Sequence, residues 1–153
     1  MFSKTMKAFA IASVIAGTTA ATAYAYPHTG YQAQIENQIN SVIAGARGLG
    51  FNLIVANLRG QMYTGGGHSY SVVYLQAGQV YRFAARCDTD CTDIDMSLRN
   101  ANGLELIADR DRDDFPTFTI RAPYTGAYQV VLEMARCNAW RCQVGAVVLG
   151  QTI

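Results

Sequence analysis

All eight aspartates of this sequence fall in one short window: Asp88, Asp90, Asp93, Asp95, Asp109, Asp111, Asp113 and Asp114. Carboxylates at this density suit Ca²⁺, which takes six to eight oxygen ligands and tolerates irregular geometry. Asp109, Asp111 and Asp113 would stand at positions 1, 3 and 5 of an EF-hand loop. Position 6 is Asp114 instead of glycine, however, and position 12 is Ile120 instead of glutamate. The sequence therefore carries no EF-hand. The expected calcium ligands are Asp93 and Asp95 on the polar side of a strand, Asp88 and Asp90 in the loop before it, and Asp109 at the end of the following strand. Two carboxylates at i and i+2 on one strand face lie about 7 Å apart, near enough to share an ion. The competing reading is a solvated acidic face, since Arg110 and Arg112 alternate with the acids.

Other chemistries have less to stand on. Paired aspartates can run glycoside hydrolysis, which makes a small Asp-dependent hydrolase the enzymatic alternative. That reaction needs a substrate cleft, and a small sandwich offers little room for one. The two histidines are His28, near the start, and His68, after Gly65-Gly66-Gly67. Neither sits in a nucleophile elbow, a His-Glu-x-x-His helix or a phosphate-cradling loop. The expectation is a protein that is not an enzyme. Trp140, the sole tryptophan, lies between Cys137 and Cys142. On a stapled loop it would stack on a sugar or a peptide; turned inward it would pack on the sandwich edge. Tyr63, Tyr70, Tyr74 and Tyr124 carry the same two readings.

The elements that must position these residues come from periodicity. Ile35, Ile39, Val42, Ile43 and Ala46 have helical spacing, which predicts one amphipathic helix over residues 32–46, stopped by Gly45, Gly48 and Gly50. Residues 26–34 read as a polar, poorly ordered lead, and the helix as a cover for one end of the fold. From Phe51 the period becomes two. Strands are predicted over 51–58, 70–75, 80–87, 94–98, 104–108, 117–121, 127–136 and 143–149, with turns at Gln76-Ala77-Gly78, Asn102-Gly103, Pro123 and Thr125-Gly126. Tyr128, Val130, Leu132 and Met134 face inward, Gln129 and Glu133 outward. Many short strands of one-sided polarity give an all-β class, an antiparallel, jelly-roll-like β-sandwich with one short N-terminal helix.

The first 25 residues read as a secretory signal peptide: Lys4 and Lys7, an apolar run from Ala8 to Ala16, and Ala23-Tyr24-Ala25 before the cut. The run is too short to stay as a membrane span. Residues 26–50 then form the lead and helix, and residues 51–153 one sandwich domain. Removing 25 of the 153 residues leaves 128, enough for one core. Losing Lys4 and Lys7 takes the twelve basic residues to ten, against eleven acidic ones. A chain so near neutrality has no electrostatic case for nucleic acid or an anionic membrane. Four cysteines in an exported chain favour disulfides. Of three connectivities, Cys87 with Cys91 and Cys137 with Cys142 are expected, since each pair closes a short loop at a strand end.

From Gln76 to Val148 the chain resembles the bacterial pre-peptidase C-terminal domain, a small β-sandwich appended to secreted proteases. The matching pieces are Ala77-Gly78-Gln79-Val80-Tyr81-Arg82-Phe83, Asp93-Ile94-Asp95-Met96-Ser97-Leu98, Asn102-Gly103, the Asp109 to Asp114 run, and Thr125-Gly126-Ala127-Tyr128-Gln129-Val130. The resemblance implies a sandwich fold and, because some members bind it, calcium. The cysteine pairs depart from the family pattern. A role in maturing or targeting a protease is not carried over. Together these readings describe a secreted, calcium-stabilised, non-catalytic sandwich, periplasmic or released to the medium, with a binding or structural role. The alternative is a carbohydrate- or peptide-binding module, and the partner is an extracellular protein or glycan.

Overall fold

The computed structural model describes residues 30–65 and 67–152. The expected signal peptide, its expected cleavage site and His28 lie outside the described residues. One helix, α1 (Gly30–Gly48), precedes eight strands: β1 (Phe51–Tyr63), β2 (His68–Leu75), β3 (Val80–Cys87), β4 (Cys91–Asn100), β5 (Glu105–Asp109), β6 (Thr117–Arg121), β7 (Gly126–Cys137) and β8 (Arg141–Gln151).

The strands form two four-stranded sheets, ordered β1-β8-β3-β6 and β2-β7-β4-β5. The pairings β1 with β8, β2 with β7, β3 with β6 and β4 with β5 are all antiparallel. The strands thus pair as one long hairpin rolled up so that most connections cross between sheets, which is the jelly roll. Rolling the hairpin gathers the β1–β2, β3–β4, β5–β6 and β7–β8 connections at one end. The acidic window and the Trp140 loop therefore share that end of the molecule.

The inter-sheet core comes from the inward set of each alternating strand. It includes Phe83 stacked on Phe118 in one sheet, and in the other Ile94, Met96 and Leu98 of β4 beside Tyr128, Val130 and Met134 of β7. A second apolar layer forms where Ile35, Ile39, Ile43 and Ala46 of α1 meet Phe51, Ala84, Val147 and Leu149. The helix thus lies on the outer face of the β1-β8-β3-β6 sheet and does not cap an end, because that face offers it a continuous apolar strip. This explains why β8 reads Val144-Gly145-Ala146-Val147-Val148-Leu149 without alternation: one side faces the core and the other the helix. Gly145 permits the approach. A Cβ built there would stand 2.7 Å from Cγ2 of Ile35 and 3.0 Å from Cγ1 of Ile39. The helix starts at Gly30, so residues 30–34 are helical instead of a loose lead.

Both cysteine pairs are local, Cys87–Cys91 and Cys137–Cys142, with Cα–Cα distances of 5.8 and 6.0 Å. Tyr124 is a packing residue. Its ring stacks on Tyr128 at 4.6 Å, and the Tyr128 hydroxyl donates to the Tyr124 carbonyl at 2.7 Å, a tyrosine corner at the turn into β7. No helix among the described residues is long and apolar enough to cross a membrane.

Candidate functional site: an aromatic tip braced by two disulfide loops

Short polar side chains compete for backbone N–H groups two residues on, so Asp-x sequences fold into tight local turns. That is how this chain uses its aspartates. Asp88 Oδ1 accepts from the Asp90 amide at 3.1 Å, Asp109 Oδ1 from the Asp111 amide at 3.1 Å, and Asp113 Oδ1 from the Phe115 amide at 2.8 Å. The second oxygens of two of them reach across the fold. Asp88 Oδ2 accepts from the Gln143 amide at 2.6 Å and Asp109 Oδ2 from the Thr117 amide at 2.8 Å. Asp88 is 2% exposed, beneath the loops it joins.

Of the five carboxylates expected to gather round calcium, Asp88 and Asp109 therefore commit both oxygens to backbone amides. Asp90 instead meets the phenol of Tyr31, whose pKa is raised chiefly because its hydroxyl donates to that carboxylate. Asp93 and Asp95 do stand together on β4. Among the described residues, no three His, Cys, Asp or Glu side chains are grouped so as to hold a metal ion. The donor set does not fit the ion that the resemblance implies.

What Asp95 faces is Glu133, directly opposite it on β7, and Glu133 in turn faces His68 on β2. His68 Nδ1 is 3.8 Å from Glu133 Oε2. Arg110, held by both oxygens of Glu105 at 2.9 and 2.6 Å, closes the row on the far side. Burial, followed by the charges of Asp93 and Glu133, raises the Asp95 pKa above its ordinary 3.8. Two facing carboxylates are the raw material of acid–base hydrolysis. Yet the depression over Asp95, Ser97, Arg110, Val131 and Glu133 is shallow and encloses no cavity for a substrate.

The row has a consequence for stability. A carboxyl whose folded-state pKa is raised favours the fold below its ordinary pKa, and that contribution is lost as pH climbs through the raised value. At pH 7 the ionised Asp95 opposes folding. Asp95→Asn should therefore stabilise the fold at pH 7, by at most about 1 kcal/mol for so solvated a group, and the gain should vanish below about pH 4. Thermal melts at the two pH values check this, and a loss of stability at pH 7 would count against it.

The tip itself is built from four segments. Asp88 and Gln143 exchange main-chain and side-chain hydrogen bonds, with the Asp88 amide donating to the Gln143 carbonyl at 3.1 Å. The Asn138 amide donates to the Asp90 carbonyl at 2.7 Å, and Cys91 pairs with Cys137 across the β4–β7 ladder. The Cys87–Cys91 loop thus carries the Cys137–Cys142 loop on its back. The β1–β2 turn joins through Thr64, whose hydroxyl donates to the Cys137 carbonyl and accepts from its amide at 3.0 Å. Gln34 of α1 accepts from the Thr89 amide at 3.3 Å.

On this base stands Trp140, 83% exposed. Its ring meets Tyr63, itself 48% exposed, edge to face with centroids 5.7 Å apart and planes at 77°. Arg136 and Arg141 flank the loop and are solvent-exposed. Below the tip, β2 turns Tyr70, Val72 and Tyr74 outward, exposed in a line down the uncovered face of the second sheet. Of the two readings open to Trp140, the outward one is what the fold provides.

No protein-family model matches the chain, and no curated protein matches it in sequence. Among solved structures it is similar to PliG of Aeromonas hydrophila, a periplasmic lysozyme inhibitor of g-type lysozyme. The similarity has a TM-score of 0.46 and 12% identity, over 63% of this chain and 85% of that one. At such a distance that protein's activity does not transfer to this one.

Proposed function

We propose that the protein is an exported, non-catalytic binding module that grips a protein partner with its aromatic tip. The observation that carries this reading is the exposure of Trp140, 83%, on a disulfide-closed turn braced from below. Folding ordinarily covers tryptophan, so leaving one in water spends apolar area that binding can recover. Its edge contact with Tyr63 and the staple of Cys137 and Cys142 hold the ring before any partner arrives, which lowers the ordering cost of association. Trp140, Tyr63, Arg136 and Arg141 are the residue types enriched at binding hot spots.

A facing pair of carboxylates without a cleft supports a binding role over hydrolysis. The second reading is a glycan ligand, favoured by the open indole of Trp140, on which a sugar ring can stack. Export rests on the signal-peptide pattern and on the two disulfides, which persist in oxidising compartments.

Two measurements separate the readings. Immobilised protein is exposed to the exported proteins of its host, in parallel with a Trp140→Ala bait. A species retained by the wild type and lost with Trp140→Ala is the expected result. In solution, emission of the single tryptophan is followed on adding peptidoglycan fragments and chito-oligosaccharides. Quenching by the glycans, with no protein retained, would replace the protein reading by the sugar one. Equal retention by both baits would overturn the role of the tip.

A further inference from the structure

On the outer face of β3, Ala84 is closed beneath α1, while Arg82 and Arg86, two residues to either side, reach past the helix. A cavity of about 380 Å³ opens there, between the C-terminal half of α1 and the β5–β6 loop. Val42, Ala46, Leu49 and Phe115 make it apolar, and the two guanidiniums make it cationic. Its volume falls in the range of small-molecule sites.

Neither arginine is neutralised by a close ion pair: among the described residues neither lies within 4 Å of a carboxylate, although Asp113 and Asp114 act on Arg86 from farther off. The Arg86 guanidinium carbon sits 3.2 Å from the centre of the Phe115 ring, and its Nε is buried with no hydrogen-bond partner. A buried donor left unmet is costly, and a cation more so. Burial also draws the Arg86 pKa down, as expected for a charge that lacks a close counter-ion. Leu49, 61% exposed at the rim, leaves apolar surface in water beside it.

We propose that this groove binds a small amphipathic anion: a carboxylate held by Arg82 and Arg86, on a short aliphatic or aromatic body laid along Val42, Leu49 and Phe115. The planar guanidinium matches a carboxylate with two parallel hydrogen bonds. The site is separate from the aromatic tip, so either can fail without the other.

The test uses the exported protein with four probes: octanoate and 3-phenylpropionate, and the neutral 1-octanol and 3-phenyl-1-propanol. Titration calorimetry gives affinities, and ¹H–¹⁵N shift mapping gives the location. Both acids should bind at millimolar concentration or below, with shifts gathered at Gly45, Leu49, Arg86 and Phe115. The tighter acid reports whether the natural body is aliphatic or aromatic. The alcohols should bind about tenfold more weakly or less, the loss expected for charge-assisted hydrogen bonds, and Arg82→Gln should weaken the acids as much. Arg86→Gln could disturb the stack on Phe115, so Leu49→Glu serves as a second variant. It places a like charge at an exposed rim and should weaken the acids without moving the melt. Trp140→Ala should bind both acids as the wild type does. Absence of binding by both acids, alcohols that match them, or shifts centred elsewhere would overturn the proposal.

Discussion

Asp88→Ala is expected to cost about 3 kcal/mol of folding stability, because it strips a buried brace from the tip. The carboxylate is 2% exposed and accepts from two main-chain amides, Asp90 at 3.1 Å and Gln143 at 2.6 Å. Hydrogen bonds to a charged acceptor contribute about 1.5–3 kcal/mol each, and alanine leaves both donors unmet. The loss should also be felt at Trp140, since Gln143 follows Cys142 directly and the Asp88 side chain adds to the main-chain bonds that tie that strand start to the Cys87–Cys91 loop. Asp88→Asn should fall between, because an amide offers one accepting oxygen where two are used. Urea unfolding gives the stability, and emission anisotropy of Trp140 gives the loosening. A change below about 0.5 kcal/mol, the usual scale of a neutral surface substitution, would mean that the loops hold without Asp88.

Ile39→Ala is expected to cost a similar amount, about 2–5 kcal/mol, by opening a void under the helix. Ile39 is 0% exposed and packs over Gly145 of β8 beside Ile35. Gly145→Ala attacks the same contact from the other side. The added methyl would stand 2.7 Å from Ile35 Cγ2, so the helix must lift, at a cost of about 1–3 kcal/mol. Residues in one contact do not add. With the helix already loosened, the double variant should therefore be less destabilised than the two single losses combined. Urea melts of the three variants check this, and an unchanged Ile39→Ala midpoint would show that the helix contributes little to the fold.

Much of the architecture was legible because single strands announce themselves. β3 and β6 match their predicted ranges at both ends, and the alternation through Tyr128, Val130, Leu132 and Met134 places β7 correctly. The alternation in sequence ends β1 at 58, before Arg59, Gly60 and Gln61. They continue the strand because β8 supplies Gly145, Val144 and Gln143 as partners, which no local pattern reveals. The helix was recognised but misplaced, because its apolar stripe does not say which surface it will meet.

The site was harder for the same reason. Asp88 and Asp109 look like ligands in sequence, while the Oδ1 of each, like that of Asp113, finds an amide two residues on and closes a turn. That i to i+2 spacing is a signal a reader of turns could have used. Glu133 was read only as an outward residue of β7. Its place between Asp95 and His68 depends on three strands distant in sequence. Likewise, whether Trp140 points out or folds back is decided by Tyr63 and Asp88, neither of which is near it in the chain.

The central claim is that Trp140 is the anchor of a protein interface, and calorimetric titration of the captured partner with wild type and Trp140→Ala tests it most directly. A hot-spot tryptophan contributes at least about 2 kcal/mol, so Trp140→Ala should weaken binding by about thirtyfold or more. Because the ring is 83% exposed in the free protein, the same substitution should leave the melting temperature within about a degree of the wild type. An affinity within about threefold of the wild type, the level of a near-neutral rim contact, would contradict the account.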